Sequence, residues 1–335
     1  EHLPLQGDAV VIDATGKYVS AGWVDAHVHT YECQGAIGVD CDQFLSQGVT
    51  YIVDAGTAGP GNFEDYLAHD NNNKKIPQKA YLNLAYMGVV KPYGELTDLT
   101  RVDLDACQRM IEKYPEDIIG VKLRIDPRVC QNPKKAMELI HELSLRTGKP
   151  VIVHASRTDL PMETILSFMK KGDVFAHSFA DKLPELLDNN GNVKACVWEA
   201  RKRGVFFDLS HGKSNFSYEV AQKAFAQGFL PDAVSTDLHQ GSMDIVKSLP
   251  LTMSKMMACG LSLEKVLCLV TVDAVNMLQV TDKDTEIKEG AKADLTIFQV
   301  EKGKFSFEAS DGKVFTGNDL IRPYCTILSE MIYQG

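Results

Sequence analysis

No stretch of the chain reaches the roughly 18–20 consecutive apolar residues that a helix needs to cross a bilayer, although apolar types fill 44 % of its 335 positions. Basic residues are also short: 35 Lys and Arg stand against 45 Asp and Glu, for a formal net charge of −10. A surface of that sign repels phosphate backbones and anionic lipid heads, so neither nucleic acid nor membrane is expected as the main partner, and a small molecule is. Closely spaced cysteine pairs are missing too. The eight cysteines (Cys33, Cys41, Cys107, Cys130, Cys196, Cys259, Cys268 and Cys325) are scattered, with no CxxC. A chain of this length builds its core without disulfides, and the pattern predicts free thiols in a reducing, cytoplasmic compartment. The opening EHLPLQGDAVVIDATGKYVSAGW has neither a basic start nor a long apolar centre, unlike a signal peptide.

What is present is a regular alternation. Strand-like runs rich in Val, Ile, Phe and Tyr occupy 24–30, 49–56, 80–89, 118–125, 150–156, 173–179, 205–212 and 232–238. Between them, 103–114, 132–148 and 161–172 carry apolar residues at helical spacing. Gly148 and Gly172 are expected just past the ends of the last two helices. Eight strand units with helical crossovers predict an α/β fold, a (β/α)8 barrel, with a doubly wound open sheet as the competing architecture. After residue 262 the pattern changes to a helix pair over 262–278 and then to turns and alternating strands. Three units are therefore expected: 1–22 as the remnant of an N-terminal β-lobe, 23–280 as the barrel, and 281–335 as a small C-terminal β-lobe.

Polar residues at the strand ends favour the barrel, because the C-terminal mouth is where barrel enzymes build their sites. VDAHVHT puts His27 and His29 two apart, and so on one face of a strand. Two imidazoles side by side pack poorly but suit a divalent metal. His154 in VIVHAS, His177 in VFAHSF, His211 in FDLSHG and Asp237 in VSTDL follow at later strand ends. Lys122 interrupts the apolar strand IIGVKLRI, where a lone ammonium is costly to bury. Each has an ordinary reading alone: a satisfied strand-end His, a capping Asp, a Lys snorkelling from an edge. Their convergence on one barrel mouth is what points to a metal centre. His2, His69 and His141 read as a tail, a surface helix and a helix face.

The motifs SAGWVDAHVH, GVKLR, VIVH, AHSF and STD, followed by EGAKADLTIF, resemble the amidohydrolase superfamily of metal-dependent hydrolases over nearly the whole chain. FDLSHGKSNFS together with GVKLR resembles, more narrowly, a bacterial branch labelled dihydroorotase-like or adenine-deaminase-like, some members of which deacylate acyl esters or amides of small carboxylic acids. The resemblance implies a TIM barrel with a β-sandwich lobe formed by the chain termini. Only QGDAVVIDATGKYVSAG matches the N-terminal half of that lobe, so missing N-terminal residues are expected, as are residues missing from the short loop after Asp237.

The resemblance also implies roles. His27, His29 and Asp237 would hold one metal and His154 and His177 a second, most simply Zn2+. Lys122 would bridge them as a carbamate formed with CO2, replacing a buried cation by an anionic oxygen ligand. Asp237 would take the proton of the attacking water and pass it to the leaving group of an acyl amide, cyclic amide or ester. Arg124, on the inward face beyond Lys122, is expected to meet a substrate carboxylate or else a neighbouring acid. His211 and Tyr86 are further substrate-contact candidates. Self-association into a homo-oligomer is implied as well. Two alternatives are a single-metal deaminase of a purine-like base, which needs no bridging Lys, and a non-catalytic barrel that only binds.

Overall fold

The computed structural model describes residues 10–33, 36–68, 74–90 and 94–335. Seven strands lie side by side in chain order and all parallel: β2 (Trp23–Val28), β3 (Val49–Asp54), β4 (Gln78–Asn83), β5 (Ile118–Ile125), β6 (Val151–Ala155), β7 (Val174–Ala176) and β8 (Phe206–Phe207). The eighth place is taken by residues 233–238. This segment is too irregular for a full strand, yet it bridges Asp208 through Ala233 on one side and Val28 through Leu238 on the other. Leu209 N donates to Ala233 O at 3.1 Å and His29 N to Leu238 O at 3.0 Å, which closes the ring. The expected barrel is therefore present and the open sheet is not.

The strands hold because they are apolar on both faces, as buried parallel strands must be. β5 spans the residues anticipated from its Ile, Val and Leu content, with only Ile119 and Arg124 less than fully buried. Helices follow the strands as crossovers: α1 (Phe63–Tyr66), α2 (Leu104–Lys113), α3 (Pro133–Thr147), α4 (Met162–Phe168), α5 (Ala195–Lys202) and α6 (Tyr218–Ala226). Local chemistry sets their ends. The Asn132 side chain accepts from Lys135 N, Pro133 opens α3, and Gly148 closes it at φ 70°. Gly172 does not play the matching part for α4. That helix stops at Phe168, where Met169 turns extended and the Asp173 carboxylate takes the Lys170 N–H at 2.8 Å. Gly172 instead sits in the turn before β7, its N–H given to Gly204 O.

Beyond the eighth segment come α7 (Met243–Val246), α8 (Leu249–Ala258), and the anticipated helix pair α9 (Leu263–Leu269) and α10 (Val272–Leu278). Among the described residues no helix is long and apolar enough to cross a membrane. The chain then forms β9 (Asp294–Glu308), β10 (Val314–Leu328) and β11 (Met331–Gln334), which join β1 (Tyr18–Ala21) in a four-stranded antiparallel sheet ordered β1-β9-β10-β11. Residues from both ends of the chain thus build one lobe. It is fastened to the barrel by an edge-on contact of Trp23 with Phe298 (5.3 Å) and by Ser254 of α8, which accepts from Ile321 N at 2.9 Å. His2 and His69 lie outside the described residues; His141 is half-buried on α3, its Nδ1 3.0 Å from Phe168 O.

Candidate metal centre

Strand geometry delivers the imidazoles to the barrel mouth. His27 and His29 come from the end of β2, their ring centroids 5.8 Å apart. His154 ends β6 and His177 follows β7, with centroids 4.0 Å apart, and His177 lies 5.2 Å from His27. Asp237 sits among them. Its Oδ1 is 3.3 Å from His29 Nε2 and 3.7 Å from His27 Nε2, and its Oδ2 is 3.9 Å from His177 Nε2. The Nζ of Lys122 is 3.4 Å from His27 Nε2. His27, His29 and Asp237 are all buried, with one ligand atom from each within 4.8 Å of the others, a spacing that can hold a metal ion.

The hydrogen bonds behind the rings decide which nitrogen faces inward. Thr57 Oγ1 donates to Asp54 Oδ2 (2.8 Å), so its hydroxyl accepts from His29 Nδ1, 2.6 Å away. Ser210 Oγ donates to Asp208 and lies 3.0 Å from His27 Nδ1. The Ser210 carbonyl, which can only accept, lies 2.7 Å from His177 Nδ1. All three rings therefore carry their proton on Nδ1 and turn an Nε2 lone pair toward Asp237. Lone pairs and a carboxylate facing one another repel unless a cation lies between them. The buried Nε2 of His177 has no hydrogen-bond partner. The donor set thus fits a metal.

The electrostatics agree. Burial, then the Lys122 ammonium, keeps His27 well below the usual imidazole range. Burial, then His177, does the same for His154. Burial brings His177 to about 3 although Asp237 opposes it. Burial also pushes Asp237 up, but His29, His177 and His27 outweigh it and hold the carboxylate well below its ordinary value. Lys122 is brought down to about 8 by burial, opposed by Asp237 and aided by Arg124. Neutral imidazoles, an ionised Asp and a partly neutral amine are what metal ligation requires.

Backbone strain gathers here as well. His177, Ser210 and Asp237 take φ of 60°, 42° and 51°. Such left-handed positions cost non-glycine residues about 1–3 kcal/mol each and persist where a site demands them. Gly212, at φ 54°, leaves room that a Cβ would fill 2.5 Å from Asp237 Oδ2.

The remaining expected residues separate. Arg124 lines the cavity of ≈ 440 Å³ that opens over His29, Lys122, His154 and Asp237, but its Nη1 is held by Glu95 Oε1 at 2.7 Å. His211 is absent from the cavity lining. Its ring stacks on Phe216 (4.7 Å) and its Nε2 meets Lys255 Nζ of α8 at 2.9 Å. Tyr86 is also outside the cavity and 44 % exposed, because β4 ends at Asn83, whose side chain turns the chain by accepting from Ala85 N.

Three contributors escaped the sequence reading. His239 sits at the mouth, its ring 6.0 Å from that of His29. Asp208 is fully buried and carries Ser210 and Ser235. Asp25 accepts from Thr236 N (3.0 Å) and Oγ1 (2.6 Å), fixing the residue before Asp237. Its parity with His27 on β2 was the available signal. No sequence spacing marks the other two.

A parallel barrel with a histidine and carboxylate metal cage at its C-terminal mouth defines a metal-dependent hydrolase. The chain belongs to the amidohydrolase family, whose model matches residues 18–317. A protein from Enterococcus faecalis named as a deacetylase is 31 % identical over 328 residues, which cover 96 % of this chain and 88 % of the relative. A solved structure described as an adenine deaminase superposes with a TM-score of 0.90 at 31 % identity, covering 96 % of this chain and 88 % of that one. Another, described as a dihydroorotase, gives 0.91 at 28 % identity and covers 99 % and 90 %. This chain is accordingly a hydrolase acting on C–N bonds.

Proposed function

We propose that the protein is a binuclear deacylase that cleaves an acyl amide or ester of a small carboxylic acid. The observation that carries this reading is Lys122. It is 2 % exposed and 3.4 Å from His27 Nε2, and no carboxylate lies within ion-pair distance of it among the described residues. A buried amine so placed gains a reason to exist when its neutral form adds CO2, losing one proton and becoming a carbamate. With that carbamate, His27, His29 and Asp237 would hold one cation and His154 and His177 a second. Zn2+ is the default for imidazole-rich ligation.

Bound there, two cations would supply Lewis-acid polarisation of the acyl carbonyl and a lowered pKa for the attacking water. Asp237, ionised and inside the cage, accepts the proton released as that water adds to the carbonyl carbon. It returns the proton to the leaving nitrogen or oxygen as the acyl bond breaks, so that amide and water give acid and amine. Thr57, Ser210 and Asp208 hold the imidazoles with Nδ1 protonated, which keeps each Nε2 lone pair for a cation. A single-metal deaminase would leave Lys122 without a task.

Free thiols at all eight cysteines support a reducing, cytoplasmic setting. Exposed Tyr18, Val19, Tyr324 and Ile332 on the four-stranded sheet support self-association as a homo-oligomer. The deciding experiment loads the protein with zinc and bicarbonate and screens N-acyl and O-acyl carboxylic acids for acid release, with adenine and ammonia release in parallel. Acyl hydrolysis at about two metals per chain is expected. Ammonia from adenine without acyl hydrolysis overturns the reading.

A further inference from the structure

Among the described residues, four cationic side chains besides Lys122 line the cavity beside the cage: Arg124, Arg128, Arg157 and Lys213. They are not equivalent. Arg124 is paired with the Glu95 carboxylate at 2.7 Å. Arg128 grips Asp126 with two short bonds, Nε to Oδ1 at 2.8 Å and Nη2 to Oδ2 at 2.6 Å, and so takes up that buried charge. Arg157 reaches Asp126 only at 3.5 Å, and its remaining contacts, with Ser156 Oγ (3.3 Å) and Ser214 Oγ (3.4 Å), are long and neutral. Lys213 has no acidic partner within ion-pair distance among the described residues. Asp126 thus answers two guanidiniums with one carboxylate and Lys213 has none, so among the described residues these four cations meet only two partner carboxylates.

The backbone is committed to this arrangement. Arg157 comes three residues after His154 and takes φ 57°, a strained setting for a residue that carries a Cβ. Lys213 follows Gly212, whose missing side chain makes room for Asp237. Asn215 lines the same cavity at 5 % exposure, and its buried Oδ1 has no hydrogen-bond partner. A buried amide oxygen left open and a wall with more cations than carboxylates describe a cavity completed by a polar, anionic ligand.

We propose that Arg157 and Lys213 are the specificity-determining residues for the substrate carboxylate, which bridges the guanidinium and the ammonium. Arg124 is a positioning residue that holds Glu95 and does not anchor the substrate. The inference rests on the deacylase reading for the direction of the substrate: the acyl bond lies at the cage and the carboxylate at the wall. The class it selects is a small acylated amino or hydroxy acid whose free carboxylate stands away from the scissile bond. A neutral carboxamide of the same shape leaves the excess positive charge of this wall unmatched and is rejected.

The test compares N-acetylglycine with N-acetylglycinamide on zinc-loaded protein, by kcat/KM and by calorimetric binding. Wild type is expected to prefer the carboxylate in both. Arg157→Met and Lys213→Met should each reduce that preference about tenfold, mainly through KM, and the double variant should abolish it. Lys213→Arg should restore most of it, and Arg124→Met should leave most of it. Melting curves confirm that the variants fold. A preference that survives the double variant, or one lost in Arg124→Met alone, overturns the assignment. If neither compound is hydrolysed the deacylase reading fails, while the binding preference and its loss in the variants still decide the clamp.

Discussion

Nε2 of His177 faces Oδ2 of Asp237 at 3.9 Å while Nδ1 of the same ring is tied to the Ser210 carbonyl. The ring is neutral by construction: protonating Nε2 places a charge in a fully desolvated cage. The sign of the stability effect follows. Burial brings His177 to about 3, far below an ordinary imidazole, and lowers His27 and His154 as well. Below pH 6.5 the unfolded chain binds protons that the folded chain refuses, so folding stability falls with falling pH. Melting temperature of metal-free protein should drop by several degrees between pH 7 and pH 5. In His177→Asn that slope should flatten.

On the binuclear reading proposed above, removing Lys122 would remove a ligand that both cations share. Lys122→Ala is expected to lower metal content from about two toward one per chain and kcat by about 10²–10⁴-fold. Elemental analysis and steady-state rates read the two effects. Because only the neutral amine adds CO2, reconstitution at fixed dissolved CO2 should improve as pH rises through about 8.

Asp237→Asn keeps the shape of the side chain and deletes its proton acceptor. Turnover should fall by about 10²–10⁴-fold with the melting temperature little changed. Unaltered turnover in an Asn variant of normal metal content would refute the role of Asp237.

Thr57 orients His29 without reaching the cage centre. Thr57→Val leaves His29 Nδ1 without its acceptor and should weaken metal binding by about 10–100-fold, measured by competition with a chelator. Thr57→Ser, which keeps the hydroxyl, should retain most of the affinity.

Gly212→Ala combines a strained φ of 54° with a Cβ 2.5 Å from Asp237 Oδ2. The contact is with the carboxylate proposed to move the proton, so kcat should fall at least about tenfold while stability drops about 1–3 kcal/mol. Denaturant titration and initial rates separate the two losses.

Much of this molecule follows from local sequence. The apolar run from Ile118 to Ile125 had to be a buried strand, and the helical spacing over 132–148 with Gly148 past its end had to give α3. Strand parity put Lys122 and Arg124 on one face, and strand-end placement named His27, His29, His154, His177 and Asp237, which meet at the mouth, together with His211 and Tyr86, which lie outside its cavity. Short-range periodicity encodes which face a residue takes, so these outcomes were legible before any contact was known. Which partner waits on that face is a different kind of fact. Glu95 reaches Arg124 across 29 positions, Lys255 reaches His211 across 44, and Ser210 reaches His27 across 183. Those pairings neutralise Arg124, draw His211 out of the cavity and set the tautomer of His27. They arise from the closure of the barrel by residues 233–238 and from the packing of α8 against the terminal sheet. Charge neutralisation and ring orientation depend on distances through space, which no spacing along the chain records, and for that reason only the tertiary structure decided them.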